Sequence, residues 1–280
     1  MKKKTCVMIG VICSVLCIVC LAAAFWPQDD TDPIQMMVEL PKSQPFPEMD
    51  AQKPLPEEMT ADIETQQETE KKPEPYISPI DFEKIQNENP DIYAWLDVPD
   101  TEISYPLLQK EGDDTYYLKH DSSGAWAEAG AIFTQSSYNG KDFTDPVTVV
   151  YGHRMRSGAK FGRLQETFED VESFQNHKEI VVYLPDRELH FQVFAAVPYS
   201  SKHIMSIYDF DKREDYEKFL KVIFDTPGNF RKNISITPDN QLMVLSTCLK
   251  WDSSRRYLVL GKLCESDDLP VKAGSHIVEQ

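Results

Sequence analysis

The sequence predicts a mostly β domain closed into a barrel, entered by a short helix and interrupted by one longer helix. Three observations predict it. Short runs rich in β-branched and aromatic residues recur: Glu102–Pro106, Val147–Tyr151, Ile180–Leu184, Leu189–Val197, Leu242–Thr247 and Tyr257–Leu263. Turn-forming pieces such as Ser136–Gly140 and Pro185-Asp186 separate them. Only Asp211–Phe224 has clear helical spacing, with Tyr216, Phe219, Leu220 and Ile223 on one face. Many short strands with little helix favour closure, which removes exposed sheet edges.

The elements follow in chain order. Lys2, Lys3 and Lys4 precede an uncharged apolar stretch from Cys6 to Trp26. At about 1.5 Å per residue that stretch matches the roughly 30 Å hydrocarbon core of a bilayer. The lysines mark its cytoplasmic side, and Phe25-Trp26 suits the outer interface. Residues 1–26 are therefore expected to be a single-pass anchor. The competing reading is a cleaved signal peptide, with Ala22–Ala24 as the small-residue site. Either way the rest of the chain is expected outside the cell.

Residues 27–75 hold 9 of the 19 prolines and 13 acidic against 4 basic residues. Such a composition buries too little apolar surface to offset its ordering entropy, so an extended acidic stalk is expected there. The globular part is expected over 76–265, with a tail at 266–280. Ser78-Pro79 reads as the cap and first turn of a short helix with Ile80, Phe82 and Ile85 on its apolar side, and Asn89-Pro90 stops it.

Composition excludes several functions. A formal net charge of −17 argues against a nucleic-acid partner, which needs a basic face. There is no Gly-rich phosphate loop, HExxH or EF-hand pattern. Of six cysteines, Cys6, Cys13, Cys17 and Cys20 lie in the apolar segment, leaving Cys248 and Cys264 in the globular part. Two cysteines make neither a disulfide framework nor a zinc site. A single Cys248–Cys264 bridge stays open as an alternative.

The chemistry points to Leu242–Cys248, a buried strand ending in Ser246, Thr247 and Cys248. A cysteine at a strand end can sit half exposed at a barrel mouth. Its reactive form is the thiolate, which a cationic neighbour favours. His153 follows the strand Val147–Tyr151 through Gly152, and Arg256 opens the next strand, eight residues beyond Cys248. Antiparallel pairing of those last two strands would set Cys248 beside Arg256. A nucleophile, an acid–base group and a fixed donor are the minimum for acyl transfer. Each also has a bland reading: a small core cysteine, a surface histidine, a surface ion pair. Residues and spacing alone stop at an exported β-rich domain with a candidate cysteine site.

Further motifs move that reading. Tyr151-Gly152-His153-Arg154-Met155 resembles the YGHxM segment of class B sortases, and Leu245-Ser246-Thr247-Cys248 with Arg256 resembles their LSTC…R segment. Asn89–Leu96, Ile103–Pro106, Tyr117-Leu118, Gly130–Phe133 and Phe161–Leu164 resemble other family segments in family order. The resemblance runs from about Tyr76 to Leu263. It implies a closed eight-stranded β-barrel and a membrane-anchored cysteine transpeptidase of Gram-positive cell surfaces. It also implies partners: a surface protein bearing a C-terminal sorting signal, cut after threonine, and an amine of a cell-wall precursor. Alternatives kept open are a pilin lysine as acceptor, an exported cysteine hydrolase, and a non-catalytic membrane-tethered binding module. No metal or organic cofactor is implied.

By the same resemblance Cys248 is the nucleophile, His153 the acid–base group and Arg256 the substrate-holding donor. Leu118, Tyr151 and Ser246 would line the signal groove, and helix 211–224 would be the one class B members insert. Asp114 stands where many relatives carry asparagine, placing a carboxylate at the groove. Strand alternation lets only one of Arg255 and Arg256 face the site, and spacing selects Arg256. His120, His177, His190, His203 and His276 match no motif and are expected on the surface. Cys264 is expected to be an unreactive thiol.

Overall fold

The computed structural model describes residues 30, 32–38, 40 and 76–264. The expected anchor (1–26), most of the expected stalk, the tail 266–280 and His276 lie outside the described residues. Among the described residues no helix is long and apolar enough to cross a membrane.

Among the described residues nine strands form: β1 (Ile92–Asp97), β2 (Ser104–Leu108), β3 (Ile132–Phe133), β4 (Val147–Tyr151), β5 (Glu179–Tyr183), β6 (Glu188–Tyr199), β7 (Asn229–Phe230), β8 (Leu242–Cys248) and β9 (Arg256–Leu263). They pair in the order β5-β1-β2-β3-β4-β8-β9-β6, and β6 pairs back onto β5, closing eight strands into a barrel; β7 adds to β6. Neighbours are antiparallel except β2–β3 and β4–β8.

Alternation along the strands sorts their side chains into two layers. Met243 and Leu245 of β8 join Val150, Leu107, Val182, Val193 and Val259 in the barrel interior, to which all eight strands contribute. Leu242 and Val244 face outward with Val147, Val149, Leu258 and Leu260. In β6 the register shifts between Val193 and Ala195, so Phe194 and Ala195 both join the outer layer.

Among the described residues five α-helices cover this frame: α1 (Phe82–Glu88), α2 (Leu164–Glu169), α3 (Val171–Asn176), α4 (Ile204–Ile207) and α5 (Arg213–Asp225). The expected face of α5 is the buried one: Tyr216, Phe219, Leu220 and Ile223 seal the outer layer of β4, β8 and β9. Burial of each such side chain contributes about 1.5–3 kcal/mol. The short helix starts later than Ser78-Pro79 suggests. Its cap is Asp81, whose carboxylate accepts from the Lys84 N–H at 3.0 Å, and it ends at Asn89 as expected. Ile80 is buried but precedes the helix.

The largest departure is at the expected stalk. Residues 32–38 are seated on the barrel through a 3-10 turn at Gln35–Met37. Ile34 is buried among Ile80, Phe82, Ile85, Ile92 and Trp95, and Asp32 is buried against Lys160. One isoleucine and one paired carboxylate outweigh the polar composition averaged over the segment.

Candidate active site

Three adjacent strands end or begin at one rim. β4 and β8 run parallel with Tyr151 opposite Ser246, and the Gly152 N–H donates to the Ser246 carbonyl at 3.2 Å. Two residues further, Cys248 ends β8 and His153 lies just past the end of β4, and both line one cleft. β9 returns antiparallel with Arg256 opposite Cys248, as the sequence suggests. Tyr151, Ser246, Cys248 and Arg256 share the parity of Val149, Val244 and Leu258, so they present to the outer face of the barrel. Arg255 is exposed.

The guanidinium of Arg256 is aimed. Its Nη1 donates to the carbonyls of Ser253 and Arg255, both at 3.2 Å, and lies 3.8 Å from Cys248 Sγ. Among the described residues these are its hydrogen bonds, all made by Nη1. No disulfide joins Cys248 to Cys264, so the bridge that would silence the thiol is not formed.

His153 is placed by loops. Its Nε2 contacts the Leu118 carbonyl at 2.8 Å. A carbonyl only accepts, so the proton sits on Nε2. Among the described residues no hydrogen bond links His153 directly to Cys248; the two share a cleft. Gly152 makes room for the turn, since a Cβ there would lie 2.5 Å from Ile132 Cδ1 and 2.6 Å from Phe161 Cδ2. Gly130 backs the other side. It has φ +58, and a Cβ would lie 2.5 Å from the Tyr117 carbonyl and 2.9 Å from that of Leu118.

The cleft measures about 300 Å³. His153, Cys248, Arg256, Leu118, Tyr151 and Ser246 all line it, with Thr115, Phe133, Gln135, Tyr199, His203, Ile204 and Thr247 among the rest. Asp114 does not. Its carboxylate turns to the next loop, accepting from the Ser137 N–H at 3.1 Å and Ser136 Oγ at 3.3 Å, and Thr115 takes the wall position.

A family model described as the sortase domain matches residues 96–264. The chain belongs to the sortase family. Sortase B of Listeria monocytogenes is 28% identical over 184 residues, covering 64% of this chain and 72% of the relative. Sortase B of Staphylococcus aureus is 26% identical, covering 65% and 74%. The crystal structure of Clostridium perfringens sortase B superposes with a TM-score of 0.59 at 28% identity, covering 65% of this chain and 99% of that one. The chain is thus a class B sortase, a cysteine transpeptidase that anchors surface proteins, and a sortase domain of this kind works outside the cell.

Among the cleft residues that the sequence did not single out, His203 departs from its expected place. His203 was expected on the surface; it lies half-buried in this sortase's cleft, beside Tyr151 with ring centroids 6.0 Å apart. Its Nδ1 accepts from the Ser206 N–H at 3.1 Å, capping α4, so Nε2 carries the proton and meets Gln135 Oε1 at 2.7 Å. Burial lowers its pKa, opposed by the Asp114 charge, which agrees with a neutral ring. The available signal was strand polarity: β6 ends with Tyr199 opposite Arg256, at the same rim. His190 also departs from the surface expectation, pairing with Glu179 and Glu188 along β5 and β6. Burial also raises the Tyr151 pKa well above its ordinary value, so the phenol stays neutral.

Proposed function

We propose that Cys248, His153 and Arg256 carry a two-step acyl transfer from a sorting signal to an amine. Cys248 passes its proton to His153, the thiolate Sγ attacks the threonine carbonyl, and the C–N bond breaks. The leaving amine takes a proton from His153, and a thioester remains. An incoming amine loses its proton to His153, attacks the thioester and releases the thiolate. Arg256 donates from Nε and Nη2 to substrate carbonyl oxygens, a task for a planar and permanently charged fork. The observation that carries this reading is the Cys248–Arg256 rung of the β8–β9 ladder, opening onto the cleft that also holds His153.

Leu118, Tyr151 and Ser246 would bind the signal, with Asp114 acting only through its charge. The acceptor in this reading is an amine of a cell-wall precursor, and residues 1–26 hold the enzyme in the membrane.

The test incubates the full chain with peptides varied around a Pro-x-Thr core, with and without oligoglycine or a diaminopimelate-type amine. Mass spectrometry is expected to find an acyl adduct on Cys248 and an amine-dependent ligated product, both lost in Cys248→Ala. Turnover indifferent to amine would instead establish a hydrolase. A product formed only with a pilin lysine peptide would reassign the acceptor, and no adduct with any peptide would leave a binding module.

A further inference from the structure

We infer that Asp32 is a positioning residue for His153, an inference that rests on His153 being the acid–base group proposed above. The carboxylate of Asp32 and the ammonium of Lys160 meet at 2.5 Å, each side chain 1% exposed. The second carboxylate oxygen accepts from Ser122 Oγ and from the N–H groups of Ile34 at 3.1 Å and Gln35 at 3.2 Å.

Lys160 and Ser122 belong to the two loops that hold the imidazole. Lys160 closes the loop that His153 opens. It forms a β-bridge with Arg154, and the next residue, Phe161, donates its N–H to the His153 carbonyl at 3.0 Å. Lys160 has φ +56, a left-handed backbone in a non-glycine residue, which persists only where its surroundings hold it. Ser122 lies in the segment folded against Leu118. Asn89 Nδ2 joins the Ser122 carbonyl at 2.8 Å to the Tyr117 hydroxyl at 2.9 Å. The Ala131 N–H donates to the Tyr117 carbonyl at 2.9 Å. The two loops meet at the His153 Nε2–Leu118 contact. One carboxylate, far from both in sequence, therefore braces both sides of the bond that orients the imidazole. Ile34 already supplies apolar seating for this segment. A buried ion pair stabilises a fold no better than apolar residues of similar volume, so its placement points to orientation.

The test uses the full chain in detergent and compares Asp32→Asn, Lys160→Met and the double variant Asp32→Leu/Lys160→Met. Three quantities are read: kcat and KM for amine-dependent ligation, the thermal midpoint, and the His153 ring resonances by NMR. The single variants are expected to lose at least tenfold in kcat with KM within twofold. The double variant, which buries no unpaired charge, is expected to recover the thermal midpoint and still lack tenfold in kcat, with the His153 resonances displaced in every variant. Recovery of kcat together with the midpoint, or unmoved His153 resonances, would overturn the positioning role. Should the single variants not fold, the double variant decides. Should the unaltered chain fail to ligate any peptide, the functional reading fails on its own, and the His153 resonances still decide whether Asp32 positions the ring.

Discussion

On one side of the cleft Cys248 and Arg256 face each other across one rung of an antiparallel ladder, eight residues apart in sequence. On the other side His153 and Leu118 meet as two loops 35 residues apart, with further support from Gly130 and Lys160. The ladder side is positioned by its own backbone hydrogen bonds. The loop side is positioned by contacts gathered from across the chain, so its geometry fails by many more routes. The general lesson is that a reactive pair on adjacent strands inherits the precision of the sheet, whereas a group on a loop needs separate bracing.

The sharpest way to break the ladder side is Arg256→Lys, which keeps the charge and loses the fork. We expect kcat/KM to fall by about a hundredfold, the scale of losing one oxyanion-type donor, with the thermal midpoint unchanged. Steady-state kinetics beside calorimetry checks this; an unaltered kcat/KM would mean that charge alone suffices. On the loop side Gly130→Ala is expected to cost about 1–3 kcal/mol in stability, because the new Cβ meets two backbone carbonyls at a positive φ. It should also lower kcat more than KM by displacing Leu118. Denaturant unfolding reads the first effect, and equal stability would show that the segment yields.

The smallest effect expected lies away from the cleft. Burial alone would lower the His190 pKa, but hydrogen bonds and charge from Glu179 and Glu188 raise it to about 9. The unfolded value is about 6.5. A raised folded pKa stabilises fully below the unfolded value and is lost as pH rises through about 9. The native chain should therefore melt above His190→Gln at pH 6, by roughly 2–4 °C in a domain of this size. That gap should close by about pH 10; a gap constant with pH would remove the ion-pair explanation.

Those differences also explain what the sequence showed. The barrel was legible because its strands are short runs rich in β-branched and aromatic residues and α5 has a single apolar face, so Val147–Tyr151 and the buried positions of α5 are where pattern placed them. Cys248 and Arg256 were legible because a short loop between two strands fixes their pairing. The parallel pairing of β4 with β8, which brings His153 and Cys248 to one cleft, leaves no local mark, since those strands are separated by 90 residues. His203 was missed because its role comes from the end of β6, two strands from Cys248. Asp32 and Ile34 were missed because average composition over 27–75 hides two residues that pair with distant partners.

The seating of residues 32–38 changes what the acidic segment after it can do. Leu40, just before residues 41–75, packs against the apolar cluster that Ile34 shares with Ile80, Phe82 and Ile85, which lie just after them. A segment pinned at both ends to one body is a closed loop in the polymer sense. The distance of Asp32 from the rest of the domain is therefore set by those contacts and not by the length of residues 41–75. Doubling that length costs only about 0.6 kcal/mol of closure entropy. A cut within 41–75 is expected to leave residues 32–38 held to the catalytic domain through the Asp32–Lys160 pair and the Ile34 cluster.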